Sequence, residues 1–206
     1  MRIKEHWENV FSTKTENEVS WYQAYPHISI DFIQQFQLRF DAQIIDVGGG
    51  DSYLIDALLE LGFSNLTVLD ISAKAIERLK NRLGSRANNK VTFIVSDILD
   101  FDPTVAYDLW HDRASFHFLT EKNQIQKYAK VIALATADNG KLVIGTFSEK
   151  GPTKCSGLTI TQYSEIKMIE VFQAYFDFIA SKEVEHQTPF TTIQNFIFCN
   201  FKRKIR

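Results

Sequence analysis

Five short apolar runs, at positions 43–47, 66–69, 91–95, 107–110 and 141–147, alternate with longer stretches whose apolar residues recur every three to four positions. Runs of this length suit buried strands, and the stretches between them are long enough to cross a sheet face and return parallel. The pattern therefore commits the chain to consecutive βαβ units on a mostly parallel sheet, with helices on both faces. Punctuation supports each unit. Leu54, Leu58 and Leu61 make one helical stripe that Gly62 closes, while Ser72 is placed to cap a helix bearing Ile76, Leu79 and Leu83 before Gly84 ends it. Ile125, Tyr128 and Ile132 mark a third helix, ended by the turn signal Asn139-Gly140.

Beyond position 147 the style changes. A loop with Gly151-Pro152 and Gly157 leads to a helix over 164–176, and then to two extended stretches, 178–186 and 194–203, that pair antiparallel as a hairpin at the sheet edge. The first forty residues are different again: an arm rich in Trp7, Phe11, Trp21, Tyr22 and Tyr25, followed by a helix over 28–40 carrying Ile30, Ile33, Phe36 and Phe40. With no repeat and no flexible linker, residues 1–206 read as one domain, with 1–40 an arm over a core of 41–206.

Composition narrows the function classes. The 206 residues carry 23 Lys+Arg against 25 Asp+Glu, a net charge of −2, and a hydrophobic fraction of 45%, which excludes a disordered chain and a strong overall field. Lys202, Arg203, Lys204 and Arg206 gather at the end, but a short basic tail is ordinarily solvated, so nucleic acid is an unlikely partner. Cys155 and Cys199 form no disulfide framework or CxxC knuckle, and no secretory signal or membrane-length apolar run occurs, so the expectation is a cytoplasmic protein without a membrane partner. The spacing from His111 to His117 does not put two imidazoles on one helical face, and Cys155 and His186 stand alone, so no metal site is expected.

In a doubly wound sheet a ligand sits at the carboxyl ends of the strands. Three signals occupy those ends in order. Asp46-Val47-Gly48-Gly49-Gly50-Asp51-Ser52 follows the first strand, Asp70 follows the second at 24 positions past Asp46, and Asp97-Ile98 follows the third. The glycines let backbone approach a ligand, Asp70 can accept both hydroxyls of a ribose, and Asp97 with Ile98 can bond an adenine amino group and pack on its ring. Tyr53 stands where a GxGxxG dinucleotide motif needs its third glycine, and no GxxxxGK[ST] occurs. Asp46 and Asp51 would repel pyrophosphate but tolerate a cation, so an adenosine without phosphates fits best.

Those residues resemble the class I S-adenosylmethionine-dependent methyltransferases. Asp46 to Ser52 matches the first glycine motif, Asp70 the ribose acid with Ile71 beside it, Asp97-Ile98 the adenine motif, and Tyr107-Asp108-Leu109-Trp110 the fourth motif. The resemblance implies a Rossmann-like seven-stranded fold, completed by the C-terminal hairpin, and S-adenosyl-L-methionine as cofactor. It implies cofactor contacts from Trp21, Asp46, Gly48, Gly49, Gly50, Ser52, Asp70, Ile71, Asp97, Ile98 and the segment Trp110-His111. A narrower resemblance, to bacterial methyltransferase-domain proteins, rests on the blocks 6–11, 19–23, 110–114, 116–119 and 155–158. The N-terminal block is more distantly similar to eukaryotic protein-lysine methyltransferases and to thiopurine-methyltransferase-like proteins.

Methyl transfer from a sulfonium needs alignment and desolvation, and a base only when the acceptor arrives protonated. Trp21 and Tyr22 either cover the cofactor and exclude water or anchor the arm. His111, Asp112 and His117 are the candidate catalytic groups. Arg113 can bind a carboxylate or pair with Asp112, and Tyr22, Arg113, His117, Cys155 and His186 form a conceivable substrate pocket. The expected activity is methylation of a small molecule at nitrogen or sulfur. Its alternatives are methylation of a protein lysine and, in another class, a cofactor-binding module without turnover.

Overall fold

The structure, a computed structural model, describes residues 3–205. Its centre is a seven-stranded sheet in the order β3-β2-β1-β4-β5-β9-β8. The first five strands, β1 (Gln43–Val47), β2 (Asn65–Asp70), β3 (Val91–Val95), β4 (Tyr107–Arg113) and β5 (Thr136–Phe147), are parallel. The order reverses beside β1, so the carboxyl ends of β1 and β4 flank the crevice where such sheets bind ligands. The two-residue strands β6 (Lys154–Cys155) and β7 (Leu158–Thr159) form a separate hairpin. In the C-terminal hairpin, β9 (Ile193–Arg203) lies antiparallel between β5 and the edge strand β8 (Phe176–Gln187).

Alternation along the strands splits the core into two layers. Ile44, Leu66, Leu109 and Val143 face α2 (His27–Gln35), α3 (Leu54–Glu60) and α4 (Ala73–Leu83), which bury Ile33, Leu58 and Leu79 against them. Ile45, Trp110, Leu142 and Ile144 face the other way, toward α5 (Lys122–Ala135) and α6 (Glu165–Phe172), meeting Tyr128, Ile132, Met168 and Phe172. Each of these fully buried side chains contributes about 1.5–3 kcal/mol of apolar transfer. Helix α1 (Ile3–Thr13) lies against α4 at the ligand end of the sheet.

Several boundaries differ from the sequence reading. Strand β4 runs to Arg113, because β1 and β5 flank it that far, with Asp46 opposite His111, Val47 opposite Asp112 and Gly145 opposite Arg113. His111, Asp112 and Arg113 therefore stand in the strand rather than after it. Asn139-Gly140 does not end β5's predecessor in a loop: Asn139 takes φ +63° within the strand, and a register shift between Tyr107 and Leu109 absorbs the irregularity. Helix α2 stops at Gln35 because Gln37 enters the left-handed region at φ +49°, which leaves Phe40 65% exposed.

Candidate active site

The glycine corner after β1 is shaped by neighbours that leave no room for a Cβ. At Gly48 (φ +64°) one would lie 2.4 Å from Ser115 Cβ, and at Gly49 one would lie 2.5 Å from Asp46 Oδ2. Gly50 (φ +50°) passes so close to Asp70 that a Cβ would be 3.2 Å from its Oδ2. The Gly48 N–H donates to the Leu69 carbonyl at 2.7 Å, tying the corner to the end of β2.

Three buried polar side chains meet behind this corner. His111 Nδ1 donates to Asp46 Oδ1 at 2.7 Å, and Nε2 is bonded to Ser29 Oγ at 2.9 Å. Ser29 comes from α2, so the chain of bonds joins the arm to the two central strands. At the end of β2, Asp70 is buried and accepts from the Ser72 N–H at 2.8 Å and from the Gly50 N–H. Burial pushes its carboxyl up to about 7, against the lowering effect of those two donors. Asp97 caps the single turn Ile98–Asp100, accepting from the Leu99 N–H at 2.9 Å.

A cavity of about 340 Å³ opens along these strand ends. Asp70, Ile71, Asp97 and Ile98 line one part of it, and Trp7, Phe118 and Cys155 line another. A second cavity of about 60 Å³ lies beside Tyr22, Ser29, Asp46, Ser52 and His111. Phe11, Trp21, Gly48 and Arg113 border both, so the two form one site around the glycine corner.

The arm roofs this site through specific anchors. Glu8 on α1 accepts from Ser72 Oγ (3.0 Å) and from the N–H groups of Ala73 (2.8 Å) and Lys74 (3.1 Å), capping α4 from outside its own sequence. Trp7 packs edge-on against Phe118 and Trp21, with ring centroids 5.0 and 5.8 Å apart. Farther on, Arg113 Nη1 donates to the Trp21 carbonyl at 2.9 Å and His186 Nε2 to the Ser20 carbonyl at 2.7 Å. Arg82 on α4 donates to the carbonyls of Asp51 and Ser52 while lying 4.1 Å from the Tyr53 ring centroid, and Tyr53 in turn donates to Glu16.

Not every residue singled out in the sequence reaches the cavity. Asp112 points to the opposite face of the sheet, where it accepts from the Tyr128 hydroxyl and from the N–H groups of Ser115 and Phe116. Burial holds its carboxyl up at about 6. It is occupied in fixing the turn after β4 and makes no pair with Arg113. His117 is enclosed against Phe147 at 4.8 Å between ring centroids, and burial together with Arg113 pushes it down to about 3. It lines neither cavity. The Trp110 side chain belongs to the layer of Tyr107 and Tyr128. His186, pushed down to about 4 by burial, serves the arm and faces an open groove shared with Tyr22. Cys155 does line the larger cavity, and burial raises its thiol to about 11, so it is protonated at neutral pH.

Ser29 and Arg82 are passed over by the sequence reading, and Glu8 and Phe11, within the block 6–11, are given no role at the site. Ser29 sits in an ordinary helical pattern, and Glu8 and Arg82 look like solvated helix charges, so only tertiary proximity identifies them. Among the described residues, no three His, Cys, Asp or Glu side chains gather as a metal-binding group. No helix among them is long and apolar enough to cross a membrane.

Residues 45–142 match the family described as "Methyltransferase domain". The human EEF1A lysine methyltransferase 2 is 23% identical over 135 residues, covering 60% of this chain and 57% of that protein. The malonyl-[acyl-carrier protein] O-methyltransferase 2 of Ilyobacter polytropus is 34% identical over 92 residues, covering 44% of this chain and 34% of that protein. The matched parts span 24%, 57% and 43% of the first three curated relatives, so the likeness reaches only part of each. Among solved structures, the Burkholderia thailandensis 1,6-didemethyltoxoflavin-N1-methyltransferase, bound to its substrate and S-adenosylhomocysteine, superposes with a TM-score of 0.69. The identity is 17%, over 98% of this chain and 84% of that one.

Proposed function

We propose that the chain is a class I S-adenosylmethionine-dependent methyltransferase, with S-adenosyl-L-methionine as cofactor, and that it methylates a small molecule at nitrogen or sulfur beneath the arm of residues 3–40. The observation that carries this reading is the roofed cavity of about 340 Å³, whose acceptor end is lined by Trp7, Trp21, Phe118 and Cys155. Such walls exclude water and suit a compact acceptor.

The residues present fit the cofactor. Asp70 would hold the ribose hydroxyls, Ile71 and Ile98 would pack beside the adenine, and Asp97 would accept from its amino group. The glycine corner would give the methionine end close approach, and Asp46, Ser29, Ser52 and the backbone at His111 would surround its ammonium. Bound there, the cofactor would supply an activated methyl group on a sulfonium, with S-adenosylhomocysteine as the leaving group. The chain's own part is alignment and desolvation. Neither Cys155, protonated at neutral pH, nor Arg113 can take a proton from the acceptor, and Asp112 and His117 lie outside both cavities. His111 borders the smaller cavity, but both its ring nitrogens are engaged, by Asp46 and Ser29. On this reading the acceptor arrives as a nucleophile already, a thiolate or a neutral amine. Trp21 and Tyr22 act as the roof.

A protein-lysine acceptor is the second reading. It is favoured by the likeness to the EEF1A lysine methyltransferase and by the open groove outside Tyr22, which Tyr25 and Glu185 also line. Incubating the purified protein with isotopically labelled cofactor and a cell extract separates the two. The small-molecule reading predicts label in the low-mass fraction by mass spectrometry; label in a protein band alone overturns it. Cofactor binding with no S-adenosylhomocysteine released from any extract would leave a binding module instead.

A further inference from the structure

Arg113 is a half-buried guanidinium without an anionic partner. Nη1 donates to the Trp21 carbonyl, the group lies 5.1 Å from the Phe196 ring centroid, and Nη2 is buried with no hydrogen-bond partner. Among the described residues no carboxylate is within ion-pair distance of it. The field of Asp46 reaches it, but that carboxylate is engaged by His111. The other titratable groups around it, His117, His186 and Cys155, are uncharged at neutral pH. A buried cation with an unmet donor is costly, and a bound anion removes both faults at once.

The position of this group joins it to both parts of the site. Arg113 stands at the end of β4 opposite Gly145 of β5, and its guanidinium leans onto Phe196 of β9, which pairs with Phe147. It borders the smaller cavity together with Asp46 and the glycine corner. It also borders the cavity that Cys155 lines.

We infer that Arg113 is the anion-recognition residue of the acceptor pocket, so that the methyl acceptor is a small molecule bearing a carboxylate, held by Nη2 next to Cys155. This rests on the small-molecule reading above. The same chemistry is present in the methionine carboxylate of the cofactor, and the test distinguishes the two sources.

Calorimetry at about pH 5, where the carboxylate is ionised and an aromatic thiol is neutral, compares 2-mercaptobenzoate with benzenethiol on the protein saturated with S-adenosylhomocysteine; the two share the thiol and the ring but differ in the acid. A charge-assisted contact with a buried guanidinium should make the acid bind at least about tenfold tighter. The preference should fall to within about twofold in Arg113→Gln and persist in part in Arg113→Lys, whose cation lacks the forked donor geometry. Retained binding of S-adenosylhomocysteine shows that the variants are folded. Equal binding of acid and neutral thiol to the wild-type protein, or binding of neither, overturns the inference. So does a loss of more than about tenfold in S-adenosylhomocysteine affinity in Arg113→Gln with methylthioadenosine affinity unchanged, which assigns the guanidinium to the cofactor's carboxylate. Turnover is read separately with labelled cofactor. Acid-selective binding without any methylated thiol overturns the small-molecule reading and leaves the anion site standing, whereas methylation of both thiols without preference does the reverse.

Discussion

Replacing Asp70 by asparagine should stabilise the protein and weaken cofactor binding at the same time. In the free protein the Asp70 carboxyl is buried and raised from 3.8 to about 7. The folded state therefore holds a proton that the unfolded chain releases, and stability falls as pH rises from about 4 to about 7, with the full penalty present above that. The interval corresponds to up to about 4 kcal/mol at pH 8. The amide escapes this penalty, but it can serve only one of the two backbone donors, Ser72 and Gly50, that the carboxylate accepts from. Leaving one buried N–H unmatched costs about 1–3 kcal/mol, so a net gain of about 2 kcal/mol remains. For a chain of this size that raises Tm by about 4–8 °C at pH 8. The gain should shrink toward pH 5, where the wild-type carboxyl is protonated in the folded state. Calorimetric scans of Asp70→Asn at pH 5, 6.5 and 8 measure this. Titration with S-adenosylhomocysteine measures the other half: wild-type affinity should rise about tenfold from pH 6 to pH 8 as the acid ionises, and the variant should bind weakly with no such slope. A pH-independent wild-type affinity, or a variant that binds as tightly as wild type, would refute the assignment of Asp70 to the ribose.

Gly49→Ala forces a Cβ to within 2.5 Å of Asp46 Oδ2; it should displace the carboxylate from His111 and lower S-adenosylhomocysteine affinity by at least about tenfold, read by calorimetry. Tyr128→Phe removes the hydroxyl donor from buried Asp112 and should destabilise by about 1–3 kcal/mol in urea at pH 8. That loss should ease below the Asp112 value of about 6, where the acid is neutral. Ser29→Ala leaves His111 Nε2 unpaired in a buried site and should cost about 1–2 kcal/mol by chemical denaturation. Glu8→Ala uncaps α4 and frees one anchor of the arm; hydrogen exchange of residues 3–13 should accelerate more than that of β1, and equal protection of α1 would show that aromatic packing alone holds the arm.

The sequence by itself determined the strand-helix alternation, the parallel core and the gathering of a glycine triplet and three acids at one end of the sheet. Those features are local: five apolar runs, a glycine triplet and acids at three strand ends are legible because backbone conformation and periodicity restrict what such residues can do. The Ser72 cap was legible for the same reason, its hydroxyl accepting from the Ala75 N–H. Tertiary structure decided which side chains face the site. A strand reverses its side-chain direction at every residue, so Asp112, beside His111 in sequence, points to the other layer and bonds Tyr128. The extension of β4 to Arg113 depended on β1 and β5 running beside it, and Ser29, Glu8 and Arg82 gained their roles from partners 82, 64 and 31 positions distant, namely His111, Ser72 and Asp51. Short-range pattern carries no record of such distant pairings, because they form only when buried polar groups must find partners inside the assembled fold.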